Sequence, residues 1–167
     1  MQIVAEIRRS DLAHLHFYLV PRLKGNWILV AVIALAVIAW AIYTSRGPLT
    51  VTKLAIAVFS GLVGGIIGTL IGTTLNLLGV LAMSSKGGVL GCHEYELRAD
   101  GLFERTSANE QLAKWSGIDA IEMIGSLIYV RINGYLFHLI PRRSFATDSA
   151  YAEFFERLRS SWRAAAA

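Results

Sequence analysis

His93 and Glu94 are the nearest approach in this sequence to an acid–base pair, and adjacent residues of a strand point to opposite faces, so they cannot share a proton. His14 and His16 stand two apart in a helical segment, where a shared metal would need a spacing of about four. Cys92 is the single cysteine; with no CxxC partner it forms neither a redox pair nor an internal disulfide, and it reads as a small buried residue. The glycine-rich stretches lack the Lys-Ser/Thr of a phosphate loop. His138 falls in a strand, where it is expected to face Tyr129 across a hairpin rather than act as a base. Arg142 and Arg143 are left as a candidate contact to a lipid phosphate or an acidic partner, since a basic residue near a negative leaflet gains about 1 kcal/mol. None of these residues completes a nucleophile–base pair, a phosphate loop or a metal set. The chain is therefore expected to have no catalytic residue, metal or cofactor, and not to be an enzyme.

The elements that would position any site are more legible. Leu54 to Met83 run thirty residues without an acidic or basic side chain. As one helix this run would be ~45 Å long, against a hydrocarbon core of ~30 Å. One end is expected to continue as helix past the lipid or to break inside it. A shorter run, Asn26 to Tyr43, has Trp27 and Tyr43 at its ends, where aromatic belts sit. Gly47-Pro48 turns the chain between the two runs, making an antiparallel transmembrane hairpin. Gly61, Gly64, Gly65, Gly68, Gly72 and Gly79 share one stripe of the second helix, ~100° wide. Small residues four apart let backbones approach where lipid supplies no hydrophobic drive, which makes Gly61, Gly64, Gly65, Gly68 and Gly72 candidate helix-packing positions. Their partner is either the first helix, through Ala31, Ala34 and Ala41, or another copy of the chain.

The formal charge of +4 lies outside the C-terminal half, where residues 84–167 hold ten Lys/Arg and ten Asp/Glu. A nucleic-acid face would need a basic patch on a folded domain, so nucleic acid is not an expected partner. Arg8, Arg9, Arg22, Lys24, Lys86 and Arg98 flank the terminal side of the hairpin, against Arg46 and Lys53 in its loop. Both termini are therefore expected in the cytoplasm, with the chain multi-pass in the cell (inner) membrane and the lipid bilayer its first partner.

Residues 1–25 read as an N-terminal strand, Gln2 to Arg9, and a short helix capped by Ser10 and ended by Pro21. After the hairpin (26–43 and 54–83) comes a joint, 84–91. Residues 92–163 then offer six strands: Cys92 to Arg98, Gly101 to Ser107, Gln111 to Trp115, Ala120 to Ile124, Leu127 to Ile132 and Tyr135 to Ile140. Asn133-Gly134 predicts a two-residue hairpin that sets Ile132 opposite Tyr135, Val130 opposite Phe137 and Tyr129 opposite His138. Thr147 or Asp148 caps a last helix. Its apolar stripe of Tyr151, Phe154, Phe155, Leu158 and Trp162 must lie on the sheet, and 164–167 form a tail.

The stretch Trp115-Ser116-Gly117-Ile118-Asp119, the segment Ile140-Pro141-Arg142-Arg143-Ser144-Phe145 and the charged helix after it resemble the YcxB-like family of bacterial membrane proteins. The resemblance implies an α+β membrane protein: a two-helix transmembrane hairpin joined to a small antiparallel β-sheet or half-barrel, similar to pleckstrin-homology folds and capped by a C-terminal helix. It marks Trp115, Pro141 and Phe145 as structural signature positions and supplies no catalytic residue. A pleckstrin-like half-barrel has seven strands, so Gln2 to Arg9 is expected to supply the seventh as an edge strand. The expected function is a membrane-tethered interaction module docking a protein partner or lipid headgroups. The alternative is a small self-associating accessory or regulatory subunit assembled through the glycine-rich helix.

Overall fold

The computed structural model describes residues 1–83, 88–134 and 136–165. It is α+β, with four α-helices and two antiparallel sheets among those residues. The first half of the expected joint, 84–87 of 84–91, lies outside the described residues. The chain forms two compact units, one of residues 1–15 with the chain from Leu81 onward, the other of His16–Val80.

The His16–Val80 unit is dominated by α2 (Lys24–Thr44) and by α3 (Val51–Met83), which runs on past Val80. Both are long and apolar enough to cross a membrane, and few of their side chains are buried. α3 is one unbroken helix of 33 residues, ~50 Å long, with no proline to remove a backbone donor. It buries Ala57, Gly61, Gly65 and Thr69, one residue in every four. Opposite them stand Val30 and Ala34, the buried positions of α2. A Cβ on Gly65 would lie 2.6 Å from the Val30 carbonyl oxygen, and one on Gly61 2.8 Å from that of Ala34. Backbone meets backbone there, and only glycine permits it. A Cβ on Gly64 or Gly68 would touch only side chains, Val37 at 4.0 Å and Ile33 at 3.4 Å, and Gly72 has nothing within 4 Å. The intramolecular seam is thus narrower than the glycine stripe. Of the three alanines expected on α2, Ala34 enters it, Ala31 is exposed and Ala41 half-buried.

In the other unit, β1 (Gln2–Ile7) pairs antiparallel with β2 (Gly91–Leu97), setting Ile3 opposite Tyr95 and Ala5 opposite His93. β3 (Gly101–Arg105) and β4 (Glu110–Lys114) complete a four-stranded sheet in the order β1-β2-β3-β4. The N-terminal segment is therefore an edge strand, with the whole hairpin inserted between it and its partner. Ala5 and Ile7 are buried and Val4 is exposed, the alternation of a strand with one covered face. Cys92 is exposed, on the face opposite His93, and is not the buried residue its type suggests.

After β1, α1 (Arg9–Leu19) begins one residue before the expected Ser10 cap. Asp11 explains the shift: its Oδ2 accepts the Arg8 amide at 2.8 Å, so the carboxylate reaches back over the first turn as in a capping box.

A single 3-10 turn at Trp115–Gly117 leads to the second sheet, β5 (Ile118–Ile124), β6 (Leu127–Ile132) and β7 (Leu136–Pro141). Gly125-Ser126 is the two-residue loop, joining Ile124 directly to its partner Leu127, with Gly125 at φ +58°. Across the Asn133-Gly134 hairpin Ile132 pairs with Leu136 and Val130 with His138, and Tyr135, expected opposite Ile132, lies outside the described residues. This corrects the expected register. The Asn133 amide donates to the Gly117 carbonyl and the Gly134 amide to Asp119 Oδ2, so both are spent on the neighbouring corner instead of closing a tight loop. The slip pairs His138 with Val130 in place of Tyr129, alongside Ile128 and Ile140, which are fully buried.

α4 (Asp148–Ala165) is capped by the Thr147 hydroxyl, which accepts the Ala150 amide at 3.1 Å. Its stripe buries Tyr151, Phe154, Phe155 and Leu158, and Trp162 Nε1 donates to the Ile118 carbonyl of β5.

Candidate functional site

The two sheets bring together four polar side chains that the sequence holds far apart. β2 places His93 and Tyr95 on its inward face, β3 sets Glu104 opposite Tyr95, and β7 adds His138. All four residues are buried. Glu104 Oε1 accepts from both imidazoles, from His93 Nδ1 at 2.8 Å and from His138 Nδ1 at 3.1 Å. A carboxylate oxygen is only an acceptor, so each ring keeps a proton on Nδ1. The Nε2 atoms of both rings are buried and have no partner. The Tyr95 hydroxyl lies 3.5 Å from His93 Nδ1, and the Tyr95 ring packs edge-on to His138 with centroids 5.5 Å apart.

Burial by itself would raise the Glu104 carboxyl, but the hydrogen bonds from His138 and His93 outweigh it and hold the group well below the usual carboxylate range. Glu104 is thus a buried, ionised carboxylate. Burial pushes the Tyr95 hydroxyl well above its ordinary value and the Glu104 charge adds to that, so Tyr95 stays neutral. The cluster ties β2 and β3 of one sheet to β7 of the other. Such a network is costly unless it is satisfied, and the carboxylate is its most fully satisfied member.

Beside the cluster lies a cavity of about 240 Å³ with His93, Tyr95 and Glu104 in its lining. Its apolar walls come from Ile7, Leu12, Val89, Leu136 and Leu139, and no Lys or Arg lines it. Among the described residues no group of three or more His, Cys, Asp or Glu is arranged to hold a metal ion. What the arrangement offers is one fixed negative charge beneath apolar walls, with two buried imidazoles behind it.

The residues singled out from sequence fall elsewhere. Arg142 pairs with Asp148, and its guanidinium is exposed. Arg143 donates to both oxygens of Asp11 and to the Glu6 carbonyl, so neither arginine presents an unpaired cation. Trp115 is buried and its Nε1 donates to the Ala99 carbonyl at 3.0 Å, fixing the corner between the sheets. Pro141 is fully buried as the last residue of β7, opposite Leu127. Phe145 packs edge-on to Tyr151 and against Phe154, seating the start of α4.

Residues 97–158, from the end of β2 into α4, match the family described as YcxB-like protein. The match takes in Glu104, Trp115, His138, Pro141, Arg143 and Phe145, while His93 and Tyr95 precede it. No curated protein and no solved structure matches the chain.

Proposed function

We propose, from the YcxB-like match and the two long apolar helices, that this chain is a membrane-tethered, non-enzymatic interaction module. In this reading α2 and α3 cross the cell membrane as a hairpin, and the chain on either side of it forms one cytoplasmic, pleckstrin-homology-like domain. The observation that carries it is the pairing of β1 with β2. Two strands that flank the hairpin in sequence and share a ladder lie on the same side of any membrane the hairpin crosses. The excess of basic residues around those strands favours the cytoplasmic side. Apolar exposure supports the spans: Leu35 is 65% exposed and Phe59 70%, which water would penalise and lipid would not.

Docking of a protein partner is the better supported form, because Arg142 and Arg143 already hold carboxylates and leave a lipid phosphate little to bind there. Self-association through the glycine helix is less well supported, since Gly61 and Gly65 are already packed against α2. The native Cys92 is exposed and reports the side of its domain. With Arg46→Cys added, a membrane-impermeant thiol reagent on intact cells should label the loop and spare Cys92. Labelling of Cys92 with the loop protected would reverse the orientation. Extraction of the chain into buffer without detergent would refute the spans. A stoichiometric foreign protein recovered with the solubilised chain supports docking, and recovery of the chain alone as an oligomer supports self-association.

A further inference from the structure

We propose that the cavity beside Glu104 is a binding site for a small amphipathic cation, an organic ammonium whose charge sits against the carboxylate and whose apolar body lies along Leu12, Leu136 and Leu139. Three observations point to that chemistry. Glu104 is ionised and buried, and it is the one carboxylate among the lining residues. Its hydrogen bonds from His93 and His138 both fall on Oε1 and the Tyr95 hydroxyl is a third partner, so of about four acceptor sites on a carboxylate one is left for a further donor. Each imidazole makes its bond to Glu104 through Nδ1, and the lining adds no Lys or Arg. An anion would meet that charge with no Lys or Arg to offset it, and is excluded. A neutral alcohol could donate, but would leave the charge uncompensated.

The walls fit the rest of such a ligand. The cavity has room for about eight waters by liquid volume, comparable to a benzylamine-sized molecule. The aromatic residues Tyr95 and Phe137 also line it, and aromatic rings favour ammonium groups over neutral ones. An apolar pocket with a few convergent polar groups, one of them strongly shifted in pKa, is the usual form of a small-molecule site. The site lies wholly within the unit of residues 1–15 and Leu81 onward, so its occupancy does not depend on whether the hairpin crosses a membrane.

The test uses the full chain in detergent micelles, with the imidazole ring signals of His93 and His138 followed by NMR as benzylammonium, benzyl alcohol or benzoate is added. Benzylammonium should shift both signals saturably, benzyl alcohol should bind about tenfold more weakly, and benzoate should leave them unmoved. Val89→Trp, which places bulk on an exposed part of the wall and touches none of the hydrogen bonds, should abolish the benzylammonium shift while leaving the free signals in place. Glu104→Gln should abolish it as well. The assignment is overturned if benzylammonium gives no saturable shift up to about 10 mM, if benzoate or the alcohol binds as well, or if Val89→Trp binds undiminished. Because the readout is local to the cluster, loss of the membrane reading would leave these results standing, and their failure would leave the topology standing.

Discussion

Arg143 grips Asp11 across 132 residues of sequence, its Nη1 2.7 Å from Oδ1 and its Nη2 on Oδ2, while the same Nη2 reaches the Glu6 carbonyl at 2.6 Å. One guanidinium thus fastens the end of β1 and the first turn of α1 to the segment that follows β7. The partners are unequally placed: the Asp11 side chain is 6% exposed and that of Arg143 35%. Asp11 also caps α1 through the Arg8 amide, so it supports local helix and long-range contact at once.

That asymmetry sets an order for two substitutions. Arg143→Ala strands a buried carboxylate and should cost about 2–4 kcal/mol. Asp11→Asn leaves a guanidinium that can turn to water, and should cost about 1–2 kcal/mol. Thermal melts of both single variants and of the double in detergent check this. Equal costs would refute the asymmetry, and costs that simply add would show that the pair is not coupled.

The glycines of α3 separate in the same way. Gly65→Ala puts a Cβ where the Val30 carbonyl stands and should force the helices apart, whereas Gly72→Ala meets open space and gains helix propensity. Melting should fall by several degrees for the first variant and stay level or rise for the second. A penalty at Gly72 equal to that at Gly65 would reveal a second packing surface on that face.

Acid should act through Glu104. Its carboxyl is depressed in the folded protein, so its contribution is complete above the ordinary value of 4.5 and is lost as pH falls below it. Asp11 is depressed as well, despite its burial, by the bonds from Arg143 and Arg8, and its share is lost below about 3.8. Glu104→Gln should be less stable than the parent at neutral pH by about 2–4 kcal/mol. Denaturant melts of the two proteins should then converge as pH drops from about 4.5 toward 3. A difference that stays constant through that window would mean the carboxylate is not the group being titrated.

What could be read from sequence divides along the range of the interaction. Helices α2 and α3 follow from long uncharged apolar runs, the strands and the α4 stripe from local periodicity, and each appears within a few residues of its expected place. The edge role of β1 came from a strand count that the resemblance supplied. The polar cluster was not legible, although part of it could have been: a hairpin turning near Ala99 places Tyr95 opposite Glu104 and His93 on the same face. His138 was out of reach, because its placement depends on the register across the Asn133-Gly134 hairpin, which pairs it with Val130. Asp119 and Gly117 hold the Gly134 and Asn133 amides of that turn, and these come from a different strand and corner. The arginines failed for a similar reason, since a sequence shows a charge and not the carboxylate already holding it.

The last prediction follows from the insertion of the hairpin between two strands of one sheet. Ala5 is completely buried and stands opposite His93, while its neighbour Val4 is 55% exposed on the other face. A charge at position 5 would be forced into the core next to the Glu104 cluster with no cation to meet it. Ala5→Glu should therefore cost about 3 kcal/mol or more and loosen the domain that carries Trp115 and Trp162. Val4→Glu puts the same charge in solvent and should change stability by about 0.5 kcal/mol or less. Tryptophan fluorescence is a suitable readout with Trp27 and Trp40 replaced by Phe, leaving only the two tryptophans of the C-terminal part. Unfolding of that part by a substitution at position 5 alone would establish that β1 belongs to its core. Should both variants keep the parent's emission and melting, the first strand is dispensable, and the same-side argument for the two ends of the hairpin falls with it.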